Sequence, residues 1–484
     1  MVPRIQKNLK PSQNSSSMKL FRVIKFSGIA VLPIFLVSCF SAKTYERPQS
    51  ELLNAQYFRT DSLQQDSVSI ATVSWKELFT DTILQGYIAE GLQNNIDIRK
   101  AIQQILISEA YLKQGKMGYL PTLNGSAQYT HTEISSNSQF GGLFDRLDQY
   151  QLSGGLSWEA DIWGKIRSNQ RAFNADYLQS VAAHKAVKST LVANIASLYY
   201  QLLSLDEQIA ITKMTIITRA SGLETTKALK ESGNLTEVAV KQTEAQLYTA
   251  EAILIDLENT VRLLENSLSL LVGSEPSEIR RSTLAAQEIT TPLKTGIPYE
   301  LLANRPDVMA AEYGLVNSFE LTNVARSNFY PSLTLTANGG LQSLQFDNLF
   351  DSGSLFATIV GGLTQPLLNG RKIRTQYEVQ KAVQEQAKLD FKFALLTASK
   401  EVSDALYSYD TAMEKIKVKE KEYQANILAK EYSQELLDNG LANYLEVLNA
   451  RQNALSTSLD LTNTKNAKFQ AIVNLYEALG GGWR

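Results

Sequence analysis

The chain has 484 residues, with 47 Lys plus Arg against 49 Asp plus Glu, and a formal net charge of −2 at pH 7. That balance supplies neither a basic surface nor an acidic tail, so no nucleic-acid partner is expected. Two histidines, His131 and His184, and one cysteine, Cys39, are too few for a His/Cys metal site, which needs three or four convergent ligands.

The amino terminus reads as an export signal over residues 1–38. Met18 to Lys25 is a basic start, and Met18 is the better candidate for the true first residue. Phe26 to Val37 is an apolar run of signal-core length, too short to span a bilayer as a helix. It closes in Leu36-Val37-Ser38-Cys39, a lipobox. Cleavage between Ser38 and Cys39 is expected, with a diacylglycerol and an acyl chain such as palmitate carried covalently on Cys39. No other cofactor is expected. Two or three acyl chains anchor stably, at about 0.8 kcal/mol per buried methylene. Residues 39–70 then form a polar, lipidated leader.

A helix is expected over 82–118, followed by two strands, Thr122–His131 and Tyr150–Asp161. Each is near the 9–11 residues of a membrane-spanning strand. Tyr150, Leu152, Leu156 and Trp158 alternate with Gln151, Ser153 and Ser157. A long helix follows from Lys165 to Ser232. Its Leu191, Ile195, Leu198, Leu202, Leu205 and Ile209 step by alternating fours and threes, the coiled-coil spacing. At about 1.5 Å per residue such a helix is roughly 100 Å long. Gly233 turns the chain, since glycine suits the left-handed cap. A shorter helix returns through Leu254, Leu257, Val261, Leu264, Leu268 and Leu271.

The plan then repeats. Residues 275–298 are a linker, and a helix is expected over 299–328. Strands are expected at Ser332–Gln342 and Leu355–Thr364, then a long helix carrying Val402, Leu406, Tyr409, Met413 and Ile416, a turn at Gly440, and a return helix. Gly440 lies 207 residues after Gly233, and Gly480 lies 207 after Gly273 (440 − 233 and 480 − 273). An offset that long marks duplication of one large unit and not a solenoid. The repeats are 71–274 and 299–484, each a helix, a β-hairpin and a long helical hairpin. Four strands cannot close a barrel, because the smallest spanning barrels have eight and open edges are not tolerated in hydrocarbon. A trimer would supply twelve.

Five segments carry a resemblance: Trp158 to Arg167, Leu301 to Val308, Phe329 to Leu333, Gln365-Pro366-Leu367, and Gly440 to Leu448. In this order the chain resembles the outer membrane factor family, the TolC-like trimeric efflux channels, in its lipoprotein drug-efflux branch. The resemblance implies a mainly α fold with membrane β structure: a twelve-stranded outer membrane β-barrel, four strands per chain, continued by a long α-helical coiled-coil barrel. The linker would then lie in an equatorial region. It also implies partners: two further copies, a periplasmic adaptor, an inner membrane pump of the RND type, and outer membrane lipid. The expected localisation is the outer membrane, lipid-anchored and extending into the periplasm. Efflux relatives often carry an acidic residue two places after the tip glycine; here that place is Ala442.

The expectation is a passive exit duct for drugs or other small molecules, not an enzyme, since no nucleophile–base or metal constellation is visible. Gly233-Asn234-Leu235 and Gly440-Leu441-Ala442-Asn443 are the expected periplasmic tips and adaptor-docking residues. Two alternatives stay open: a similar duct for type I protein secretion, and a lipidated, non-conducting envelope tether.

Overall fold

The computed structural model describes residues 42–48, 70–139, 145–289 and 304–484. Ser38 and Cys39 lie outside the described residues. The helices are α1 Trp75–Leu78, α2 Thr82–Asn94, α3 Ile96–Lys116, α4 Lys165–Glu231, α5 Glu237–Val272, α6 Pro306–Ser327, α7 Lys372–Asp438 and α8 Tyr444–Ala478. The strands are β1 Thr122–Glu133, β2 Arg146–Ala160, β3 Ser332–Ser343 and β4 Leu355–Thr364. Both α4 and α7 have 67 residues. Their starts, and those of α5 and α8, are 207 residues apart (372 − 165 and 444 − 237). Among the described residues no helix is long and apolar enough to cross a membrane.

Two expectations are corrected. The helix expected over 82–118 is broken at Asn95. Its Oδ1 accepts from the Asp97 and Ile98 amides at 2.9 and 3.1 Å, starting a new helix, while its Nδ2 donates to the Leu271 carbonyl at 2.9 Å. The connection expected over 133–149 is shorter, because both flanking strands run further into it.

The chain divides into two compact units. The first comprises Met1–Glu46, Lys113–Ala172 and Ser318–Val383. Its centre is an antiparallel sheet in the order β1-β2-β3-β4. Register puts Leu123 opposite Leu156, Leu156 opposite Ala337, and Ala337 opposite Ile359. Directly opposed residues share a face. That face is therefore Leu, Ile, Ala and Gly through its middle on all four strands. The other face carries Thr122, Ser157 and Thr336 in one row, and Gln128, Gln151 and Gln342 in another. On β4 it departs from this pattern, with Phe356 and Val360. Leader residues 42–46 lie in this unit. The Asn323 side chain accepts from the Lys43 amide at 3.1 Å and donates to the Lys43 carbonyl at 3.0 Å. Tyr45 packs edge-on against Phe319.

The second unit comprises Arg47–Leu112, Phe173–Asn317 and Gln384–Arg484. Its core is aromatic and aliphatic: Tyr200 stacks on Phe469 at 4.7 Å, and Phe79 meets Tyr476 edge-on. A polar knot surrounds Asp81, which caps α2 and accepts from Tyr199 at 2.8 Å and Gln287 at 2.9 Å, and from Ser282. Burial works to raise the Asp81 carboxyl, but hydrogen bonds from Ser282, Tyr199 and Gln287 outweigh it and hold the group below the usual carboxylate range. Burial also pushes the Tyr199 phenol up to about 12.

Candidate functional site

The sheet offers the first functional surface. Its apolar face is exposed in the single chain: Leu123 and Ile359 are each 75% accessible and Leu355 is 73%. Aromatic side chains bracket it. Toward the β1–β2 connection, Tyr129 packs on Tyr150 and Tyr150 on Phe346. At the opposite strand ends, Trp158 donates to the Tyr119 carbonyl at 2.9 Å, and Trp163 stacks on Tyr330 at 4.8 Å. From Tyr150 to Trp158 is about 27 Å along the strand at about 3.4 Å per residue. At the tilt of about 35–45° that barrel strands adopt, that length is a band about 20 Å tall, and an apolar band between two aromatic girdles is the pattern of an outer membrane barrel wall. Within the chain, β1 and β4 are edges.

The second surface is the pair of hairpin tips in the helical unit. After α4, the Gly233 amide donates to the Lys230 carbonyl and the Asn234 amide to the Leu229 carbonyl, both at 2.9 Å. After α7, Gly440 donates to Leu437 at 2.9 Å and Leu441 to Leu436 at 2.8 Å. These are the paired bonds that close a helix through a left-handed residue. Accordingly φ is 79° at Gly233 and 71° at Gly440. The chain restarts at Thr236, which caps α5, and at Asn443, which caps α8. The tips differ in what they expose. Leu441 is 76% accessible, whereas Leu235 is half-buried and Ala442 partly covered. Val238 and Leu445, at equivalent places one residue into the returning helices, are both exposed.

Two kinds of seam hold these hairpins. Between α4 and α5 the contact is apolar: Leu223, Val240 and Leu247, with Ile216 and Ala220 against them. Between α4 and α8, beyond the Tyr200–Phe469 stack, it is largely polar. Gln470 donates to the Ser197 carbonyl at 2.9 Å, Gln208 to Asn463 at 3.1 Å, Arg219 to Gln452 at 2.9 Å, and Thr226 to the Tyr444 hydroxyl at 3.1 Å. Heptad reading of the sequence did not find this seam, because its residues are not the leucines that heptads count. Among the described residues no cluster of His, Cys, Asp or Glu could hold a metal ion.

The sheet and the hairpins are those of an efflux channel subunit. The outer membrane efflux protein family matches residues 87–274 and 297–481, once in each copy, and the chain belongs to that family. It is 27% identical over 476 residues to the toluene efflux pump outer membrane protein TtgI of Pseudomonas putida, covering 96% of this chain and 98% of that one. It is 26% identical over 467 residues to a Salmonella typhimurium protein named "Probable outer membrane lipoprotein SilC", covering 95% and 100%. A crystal structure of a membrane protein from Pseudomonas aeruginosa superposes with a TM-score of 0.82 at 25% identity, covering 91% of this chain and 99% of that one.

Proposed function

We propose that the protein is the outer membrane exit duct of a tripartite efflux system, a ring of three copies that conducts small molecules passively while an inner membrane pump supplies the energy. The observation that carries this reading is the sheet: one face apolar between aromatic girdles, the other largely polar, and both edges open among the described residues. Lipid can cover the first face and water the second only if further strands close the edges. Two copies would give an eight-stranded barrel, whose interior side chains fill. Three give twelve strands and room for water.

The helical unit supports the same ring. It leaves two exposed apolar stripes: Tyr248, Ile255, Leu263 and Leu270 on α5, and Phe393, Tyr407, Val418 and Tyr432 on α7. Different stripes on one chain suit a head-to-tail contact that closes by rotation. The leader supports a lipid anchor at the barrel rim. Ala42 lies against Gly164, just after β2, where an added Cβ would sit 3.3 Å away. Cys39, the expected acylation site, is three residues earlier in the sequence.

The exposed Leu441, with Val238 and Leu445 beside the tips, is the surface we assign to adaptor docking. The named relatives favour small-molecule efflux over protein secretion. Native mass spectrometry of detergent-extracted protein should give three chains, each carrying an acylated Cys39. Deletion of the gene should sensitise cells to the pump's substrates. A monomeric particle, or unchanged sensitivity with the pump present, would refute the proposal.

A further inference from the structure

The polar seam contains one buried charge that no carboxylate among the described residues balances. Arg219 is only 2% accessible and is among the largest fully buried side chains of the protein. Its guanidinium donates to the Gln246 carbonyl on α5 and, at 2.9 Å, to Gln452 on α8. Its Nε has no partner. Among the described residues, neither it nor Arg451 forms an ion pair with a carboxylate. A buried cation without a counter-charge costs free energy, since two neutral acceptors replace its lost hydration only in part.

The second cation lies beside the first. Arg451, on α8, donates to Gln434 on α7 at 2.6 Å. Its Nη1 lies over Gly222 of α4, where an added Cβ would be only 2.5 Å away. Gly222 is one helical turn from Arg219. A glycine inside a long helix costs about 1 kcal/mol against alanine. Here it admits a second guanidinium next to a buried first. Burial and the Arg451 charge both lower the Arg219 pKa from its ordinary value.

We infer that Arg219 and Arg451 load the seam between the two helical hairpins toward separation, so that the pair works as a spring within the duct. Moving α8 off α4 would hydrate Arg219 and increase its distance from Arg451. The neutral bonds of the seam, Tyr444 to Thr226 and to Thr243 foremost, hold it shut against that load. An uncharged polar seam would have no such bias. A plain crosstie through Arg219 would have the opposite one.

This rests on the duct reading, and the signs of three variants test it. Arg451→Gln removes the like charge and leaves every Arg219 bond in place. Arg219→Met with Gln452→Leu removes the buried cation together with the side chain it pairs with, a replacement that is often neutral or stabilising. Both should raise the melting temperature of the purified full-length protein and lower its mean conductance in planar bilayers by about fivefold, the effect of a small bias on a two-state equilibrium. Tyr444→Phe should do the reverse. If Arg451→Gln changes neither quantity, or if the double variant raises conductance and melts earlier, Arg219 is a crosstie and the inference is wrong. Absence of any conductance in the wild type would instead sink the duct reading, and the order of melting temperatures would still decide the seam.

Discussion

The sheet and the helical hairpins are both unfinished in a single chain, but in different ways. Among the described residues the sheet has no strand paired to the outer edges of β1 and β4, and it exposes a continuous apolar face. The hairpins satisfy their own backbones and expose only apolar stripes about one helix face wide. Strands need neighbours for their hydrogen bonds and lipid for their side chains, whereas helices need neighbours for packing alone. Substitutions in the sheet should therefore be far less tolerated than equivalent ones in the helices.

The largest expected effect is at the middle of the apolar face. Ile359→Lys places a charge where lipid is expected, at a cost of about 2–4 kcal/mol per copy near the bilayer midplane. Three copies multiply it, so heat-stable trimer recovered from outer membranes should fall severely. A charge on the α5 stripe, Ile255→Lys, should weaken the trimer much less. Equal losses from the two substitutions would break the contrast.

Next are the tips. Gly440→Val and Gly233→Val should each cost more than about 1 kcal/mol, because φ is positive at both glycines. Nothing lies within 4 Å of an added Cβ at either, so the cost is conformational and not a clash. Thermal melts should accordingly show asparagine tolerated at both sites better than valine.

Smaller still for stability, but decisive for docking, are Leu441→Asp and Leu235→Asp. Leu441 is the more exposed, so its change should cost more adaptor cross-linking and more efflux. Survival of both when the two changes are combined would remove the tips from the docking surface. Smallest is Cys39→Ser behind a replacement signal. It should abolish acylation in the mature protein's mass spectrum yet leave the trimer assembled, since the barrel itself holds the protein in the membrane.

Much of this architecture was legible in the residues. The paired glycines at 233 and 440 mark the ends of two helices of equal length, because glycine answers a backbone requirement that is local. The four strands showed through alternation, and the observed register turns that alternation into a two-faced sheet. The break at Asn95 was missed. The pair Asn94-Asn95 in an apolar-periodic run reads as tolerated, and the Asn95 side chain that caps the new helix is also held by a carbonyl at Leu271, far along the chain. The polar seam was invisible for the same reason. Ser197, Gln208, Arg219 and Thr226 line one side of α4, but their partners lie more than 200 residues later. The difference in exposure between Leu441 and the half-buried Leu235 was likewise not legible in the residues, since it depends on how each tip folds.

Reconstitution of the purified protein into planar bilayers tests the central claim most directly. A water-filled barrel of three chains should give discrete conductance steps that scale with the number of trimers inserted. Membrane-inserted trimer that carries no current would contradict an exit duct and leave the lipidated coiled-coil tether as the better reading.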